Sequence, residues 1–342
     1  MIKKLLSTVL MGVILLSGLP LGCGMARDDV KPLKHLRIGY QPSTHQIAEM
    51  TAMEKGWWEE DLAKFGVEKV TDKEFPSGPP EMQVMAAGDL DIAYVGTTPP
   101  ITAIDKGLEA KIVAGVQTQG SALVLSPSLA EKYREPEDLR GLKIATFPPG
   151  SVQDTILRRW LRENGLDLEK DLDLRLMTGG GDAVSALMAD AVDGIFVHSP
   201  YPEIAEFDKA GKVVVRSGEM WPNHACCCLV VSDKLIQEHP DLVKEILKIH
   251  IKATVYNVNY PDEAAQIYAE RIGWDADKVK QSLKLWDGYW IYDPYIELDC
   301  VLEYAKTIYE LGFTDKLLTQ EDLFDTSFYD SALQEILTEC LG

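Results

Sequence analysis

The stretch Leu36-Arg37-Ile38-Gly39-Tyr40-Gln41-Pro42-Ser43-Thr44-His45-Gln46, followed by the helical run Ile47 to Trp58, decides how this chain is read. An apolar strand ends at Gly39, Pro42 breaks it, and Ser43 and Thr44 stand where the caps of the next helix belong. In an open α/β sheet the crevice beyond the carboxyl ends of the strands binds ligands, and a helix N-terminus offers unpaired N–H groups there. The loop Tyr40 to Gln46 is therefore a first candidate ligand loop. Taken alone, the same residues make an ordinary strand-to-helix turn.

The unit recurs. Leu142-Lys143-Ile144-Ala145-Thr146-Phe147-Pro148-Pro149-Gly150-Ser151 leads into the helical run Val152 to Asn164 and repeats strand, aromatic, Pro and Ser in that order. A second pair has a similar offset. Gly88-Asp89-Leu90-Asp91-Ile92-Ala93-Tyr94-Val95-Gly96-Thr97-Thr98-Pro99 matches Asp190-Ala191-Val192-Asp193-Gly194-Ile195-Phe196-Val197-His198-Ser199-Pro200. Each has an acidic turn, a strand ending in aromatic-Val, then small polar residues and Pro. Four segments repeating in order predict two similar α/β lobes that send paired loops toward a shared cleft.

At the N-terminus, Met1-Ile2-Lys3-Lys4 is basic and Leu5 to Leu16 is apolar, the pattern of a secretory signal and too short to span a bilayer. Leu19-Pro20-Leu21-Gly22-Cys23 resembles a bacterial lipoprotein processing site, which makes Cys23 the lipid attachment point after a 1–22 signal. Residues 23–35 then form a tether. The expectation is an exported protein held to the outer face of the cytoplasmic membrane by lipid alone. With 46% hydrophobic residues, the remainder is long enough for two real cores, and a formal net charge of −20 argues against nucleic-acid partners.

Further along, Val67 to Val70 and Lys111 to Val116 read as strands, and Phe75-Pro76-Ser77-Gly78-Pro79-Pro80 opens a helix from Glu81 to Ala87. Gly179-Gly180-Gly181-Asp182 takes the place of the Gly78 region in the second lobe. The chain crosses near Gln117 to Ser121 and returns along Cys226 to Ser232. The expected domains are 36–121 plus 233–342 for the first lobe and 122–232 for the second, with crossover segments at its ends. After the return, Pro240 to Asn257, Pro261 to Arg271, Ala276 to Trp286 and Asp299 to Leu311 read as helices completing the first lobe, with Asp233 and Asp262 near helix starts.

This order of segments resembles the solute-binding proteins of the nitrate, sulfonate and taurine class of ABC importers. The resemblance rests on Ile38-Gly39-Tyr40-Gln41, Ala52-Met53-Glu54-Lys55-Gly56-Trp57-Trp58, Gly88 to Tyr94, Asp138-Leu139-Arg140-Gly141-Leu142-Lys143-Ile144-Ala145, and Val231-Ser232-Asp233-Lys234-Leu235 before His239-Pro240-Asp241-Leu242-Val243. It implies a two-lobed periplasmic-binding-protein fold, each lobe a mixed α/β sheet flanked by helices, joined by two crossover strands. It further implies a monomer that closes on a small solute and delivers it to a membrane permease. Carried over by position, the solute donors are Gln41, Ser43, Thr44, Gly78, Thr97, Thr98, Ser151 and Gln153. No arginine lies in the four repeated loops, which weighs against a bidentate Arg clamp. A small organic sulfonate or related oxyanion is the expected solute, and a pyrimidine-like thiamine precursor the alternative.

His45, His198 and His224 fall on the proposed cleft loops and read as hydrogen-bond partners of a solute, with metal ligation as the other reading. Trp221, with Tyr40, Phe147 and Tyr201, is a candidate apolar lining. The same superfamily includes fungal enzymes that make the thiamine pyrimidine and carry a cysteine run where His224-Ala225-Cys226-Cys227-Cys228 stands here. Their catalytic lysine and histidine are missing from Ile92 to Pro100, so the expectation is no catalysis and no cofactor. Strand alternation puts Cys226, Cys228 and His224 on one face, a corner for soft metal or iron. The competing reading is buried core cysteines or a disulfide, with Cys300 and Cys340 as further partners.

Overall fold

The computed structural model describes residues 31–341. The expected signal, Cys23 and most of the tether lie outside the described residues, as does the Cys340 side chain. No described helix is long and apolar enough to cross a membrane. Among the described residues eleven strands form two sheets. The first lobe opens with β1 (His35–Tyr40), β2 (Lys69–Glu74), β3 (Ile92–Gly96) and β4 (Ala110–Thr118). The chain then crosses to lay down β5 (Ser121–Leu125), β6 (Lys143–Thr146), β7 (Asp173–Leu176), β8 (Gly194–His198) and β9 (Lys212–Arg216). It returns as β10 (Ala225–Ser232) and adds the short β11 (Tyr289–Trp290).

The sheet orders are β11-β4-β10-β3-β1-β2 and β7-β6-β8-β5-β9. In the first, β1 lies parallel between β2 and β3, and β10 runs antiparallel between β3 and β4. In the second, β6 lies parallel between β7 and β8, and β5 runs antiparallel between β8 and β9. The four repeated segments thus become β1, β6, β3 and β8 at matching positions: Ile38 pairs Ile92 as Ile144 pairs Gly194. In each lobe the antiparallel strand is the one arriving from the other lobe. This is the two-lobed periplasmic-binding-protein fold.

The return strand was expected to belong with the second lobe, but β10 lies inside the first sheet, with Leu229, Val230 and Val231 fully buried. A continuous apolar run suits a strand covered on both faces, and the crossing chain is Met220 to His224 instead. The run Ile47 to Trp58 is two helices, Ile47–Glu54 and Trp57–Leu62, because Gly56 at φ 69° ends the first in a left-handed turn. The helix after Ser77 starts at Gly78, earlier than expected, because Pro79 and Pro80 occupy first-turn positions that need no N–H partner. Ser232, not Asp233, caps the helix Asp233–Glu238, its Oγ accepting from Leu235 N at 3.3 Å. Helices Pro240–Asn259 and Pro261–Ile272 cover the first sheet, with Leu242, Val243, Ile246 and Leu247 in its core. Helix Ala276–Leu285 reaches across to Tyr201–Phe207 of the second lobe. Sequence reasoning missed the final helix, Ser327–Leu341, which packs on Pro240–Asn259.

Candidate ligand-binding cleft

Strand ends and helix starts from both lobes converge on one small cavity. From the first lobe come Gln41, Ser43 and His45 after β1, Ser77 and Gly78 at the start of helix Gly78–Ala86, and Cys226 and Cys227 on β10. From the second come Phe147, Ser151 and Gln153 after β6, and His198 at the end of β8. The free space among them is about 30 Å³. A wider concavity, about 550 Å³, adjoins it across Pro99 but has Lys106 as its one ionisable lining group. The small cavity, with its polar loops, is the functional candidate.

Two helix N-termini, one from each lobe, line this cavity. Ser151 caps Val152–Glu163, its Oγ accepting from Asp154 N at 3.2 Å, so its hydroxyl proton is free for a ligand. Asp154 in turn accepts from Gly150 N at 3.0 Å and from Arg158, which fixes the Pro148 to Ser151 loop. In the other lobe, Ser77 holds the N-cap of Gly78–Ala86 with no side-chain cap bond of its own. Glycine is needed at position 78, since a Cβ there would come within 2.4 Å of the Pro99 ring.

The lining carries no Lys or Arg. Burial pushes the His198 imidazole down to about 4. Burial also pushes His45 well below the usual imidazole range, helped by neighbouring His198. Burial raises the Glu81 carboxyl well above its ordinary value, against the opposing hydrogen bond from Gln41 Nε2 at 2.7 Å. Burial thus disfavours the charged form of each of these groups. His198 Nδ1–H donates to Ser199 O at 2.9 Å, which leaves Nε2 as an acceptor. Its ring stacks on Phe147 at 5.1 Å and lies 5.3 Å from the His45 ring, which is 5.7 Å from Trp286.

Several expected residues are placed elsewhere. The Tyr40 hydroxyl bonds Arg271 Nε and Glu74 behind the loop. Thr44 is buried, its carbonyl accepting from Trp290 Nε1 at 2.8 Å. Thr97 N ties β3 to Cys226 O, and Thr98 Oγ1 donates across the lobes to Gly150 O at 2.9 Å. Trp221 packs between Arg159, whose guanidinium carbon is 3.4 Å from the ring centre, and Tyr304. His224 lies against Ala225 O and the Tyr304 hydroxyl, and burial pushes it down to about 4.

The cysteine geometry also departs from expectation. The register between β10 and β4 slips around Cys226, so Ala225 pairs Thr118 while Cys227 pairs Gln117. This irregularity breaks the alternation, and Cys226 and Cys227, rather than Cys226 and Cys228, come to one side. The imidazole they meet is His45, not His224: Cys226 Sγ is 3.3 Å from His45 Nδ1 and Cys227 Sγ is 4.0 Å away. Cys227, Ser77 and Val152 are lining residues absent from the sequence-based candidates. Ser77 was discoverable from its place before Gly-Pro-Pro; Cys227 carried no such signal.

Two mixed α/β lobes, joined by paired crossings and bringing loop ends to one polar cavity, define the class as the two-lobed periplasmic-binding-protein fold. The chain belongs to the NMT1-like family, whose pattern matches residues 29–273. It is 30% identical over 332 residues to a Bacillus subtilis (strain 168) protein assigned as an aliphatic sulfonates-binding protein, covering 96% of each chain. Its fold is that of the Escherichia coli periplasmic aliphatic sulphonate binding protein, with a TM-score of 0.73, 20% identity, and 86% and 92% of the two chains covered. It is equally that of the periplasmic nitrate-binding protein of Synechocystis PCC 6803, with a TM-score of 0.76, 16% identity, and 89% of each chain covered. These relatives are binding proteins, not enzymes.

Proposed function

We propose that this protein is an extracytoplasmic solute-binding component of an ABC importer that captures a small organic sulfonate or related oxyanion between its lobes. The observation that carries this reading is the pair of helix N-termini, Gly78–Ala86 and Val152–Glu163, converging from opposite lobes on a cavity with no Lys or Arg in its lining. Each N-terminus acts as about half a positive charge, so an oxyanion gains from both with no cationic side chain. Ser43, Ser77 and Ser151 add hydroxyls, while Phe147 and His198 offer a flat wall to the organic part. The chain is exported by residues 1–22, lipid-anchored at Cys23, and works as a monomer that hands its solute to a membrane permease.

Uptake proceeds with the lobes parted and ends with them closed on the solute. The test is a thermal-shift panel of taurine, alkanesulfonates, nitrate, bicarbonate and aminopyrimidines, paired with small-angle scattering. A ligand at a hundred times its Kd adds about 2.7 kcal/mol to stability. The expected result is a shift with the sulfonates together with compaction. Stabilisation by aminopyrimidines alone would transfer the assignment to the thiamine-precursor class, and no shift with a single unchanging conformation would remove the importer reading.

A further inference from the structure

We propose that His45, Cys226 and Cys227 form a binding site for a borderline-soft divalent metal ion, with zinc as the type case, at the floor of the cleft. Among the described residues these three bring ligand atoms together: Nδ1 to Cys226 Sγ 3.3 Å, Nδ1 to Cys227 Sγ 4.0 Å, and Sγ to Sγ 4.0 Å. Two thiolates at about 2.3 Å and an imidazole nitrogen at about 2.0 Å from one ion stand roughly 3.5 to 4 Å apart. The triangle therefore accepts the ion with shifts of only a few tenths of an ångström.

A second observation points the same way. His45 Nε2–H donates to Gly120 O at 3.0 Å, which fixes the tautomer and leaves the Nδ1 lone pair facing both sulfurs. Ligating imidazoles are held in this manner, with the far nitrogen bonded to a backbone carbonyl. The slip in β10 is a third, since it is what turns two consecutive cysteines to the same side.

Charge selects the ion. Two thiolates and a neutral imidazole balance a divalent ion to zero in a site with no Lys or Arg in its lining. A monovalent soft ion would leave a net negative charge in a buried site with no cationic side chain in its lining. On binding, two S–H bonds break, two metal–sulfur bonds form and two protons leave to solvent; no electrons move. All three residues line the cleft cavity, so the ion arrives through the opened cleft and the fourth coordination position faces it. Because Gly120 lies on the outgoing crossover, ligation also ties the metal to the hinge. The site stands whether the solute is a sulfonate or not.

The test uses the full chain, anaerobic and reduced by a non-chelating phosphine, titrated with Zn(II) and separately with Co(II). Expected are one ion per chain, about two protons released per ion, and thiolate-to-cobalt charge-transfer absorption. C226S and C227S should each weaken binding about a hundredfold or more and abolish that absorption, while C300S, outside the triad, retains both. Absence of a stoichiometric ion, retained thiolate absorption in the double variant C226S/C227S, or its loss in C300S would each overturn the site. Should the serine variants fail to fold by circular dichroism, the unaltered chain decides alone, since cobalt bound without thiolate absorption refutes it.

Discussion

At the scale of single residues, Ser151 joins stability to recognition. Its Oγ accepts from Asp154 N and the residue lines the cavity, so under the proposed function one side chain both caps the helix and meets the solute. S151A is expected to cost about 1 kcal/mol of stability through the lost cap. It should also weaken oxyanion binding about tenfold, as measured by isothermal titration calorimetry at matched folded fractions. Unchanged affinity in a folded S151A would remove this serine from the site. Ser43, His45, Phe147, Ser151, Gln153 and His198 were legible in the sequence because each sits where a strand gives way to a helix in a repeated unit. Thr44 and Thr97 share those loops but are fully buried outside the cavity lining, and Trp221, outside the repeats, packs on Arg159 and Tyr304; the side a loop side chain takes is set by what packs behind it.

At the scale of elements, the crossings are held by a residue outside the repeats. Asp287 Oδ1 accepts from Gly120 N at 3.0 Å and Oδ2 from Gly218 N at 2.8 Å, so one carboxylate bonds the outgoing crossover and the segment leading to the return. Gln119 completes the knot, its Oε1 accepting from Asn223 N at 2.8 Å. Gly120, at φ 80°, has no room for a Cβ beside Gln117, His45 and Trp286. Hydrogen bonds to a charged group contribute about 1.5–3 kcal/mol each. D287A should therefore lower stability by about 3 kcal/mol in urea unfolding and enlarge the radius of gyration of the solute-free protein. A variant as compact as the parent would show that Asp287 supports the fold without setting the hinge. Sequence pattern located the outgoing crossing but neither the return nor this clasp, because Asp287 meets them from more than sixty residues away.

At the scale of the whole molecule, buried imidazoles set a pH response. His250 is buried beneath the first sheet, its Nε2–H donating to Gly115 O at 2.8 Å and its Nδ1 accepting from the Tyr94 hydroxyl at 3.2 Å. Burial pushes it down to about 4. The unfolded chain takes up a proton near pH 6.5 that the folded chain refuses until about 4. The linked stability is thus present above 6.5 and is lost as pH falls toward 4. Between pH 7 and pH 5 this amounts to about 2 kcal/mol for one such histidine. Glu49, fully buried and raised to about 7, works in the opposite direction, its contribution being lost as pH rises from its ordinary range toward 7. Comparing H250N with the parent isolates the histidine: the parent's advantage in urea unfolding should shrink by about 2 kcal/mol from pH 7 to pH 5. An advantage independent of pH would mean that His250 is not held neutral.

The sequence by itself determined the two α/β lobes, the duplicated strand-loop-helix units and the absence of arginine from the four repeated loops. Local pattern suffices there, because periodicity, proline and caps act over a few residues and the repeat multiplies their weight. Only the tertiary structure decided that β10 belongs inside the first sheet, that Asp287 clasps the crossings, and that His45 meets Cys226 and Cys227. Each of these joins segments far apart in the chain, and one turns on a slip in strand register. Alternation along a strand predicts the face of every residue until the register slips, and where it slips depends on the packing of both neighbouring strands.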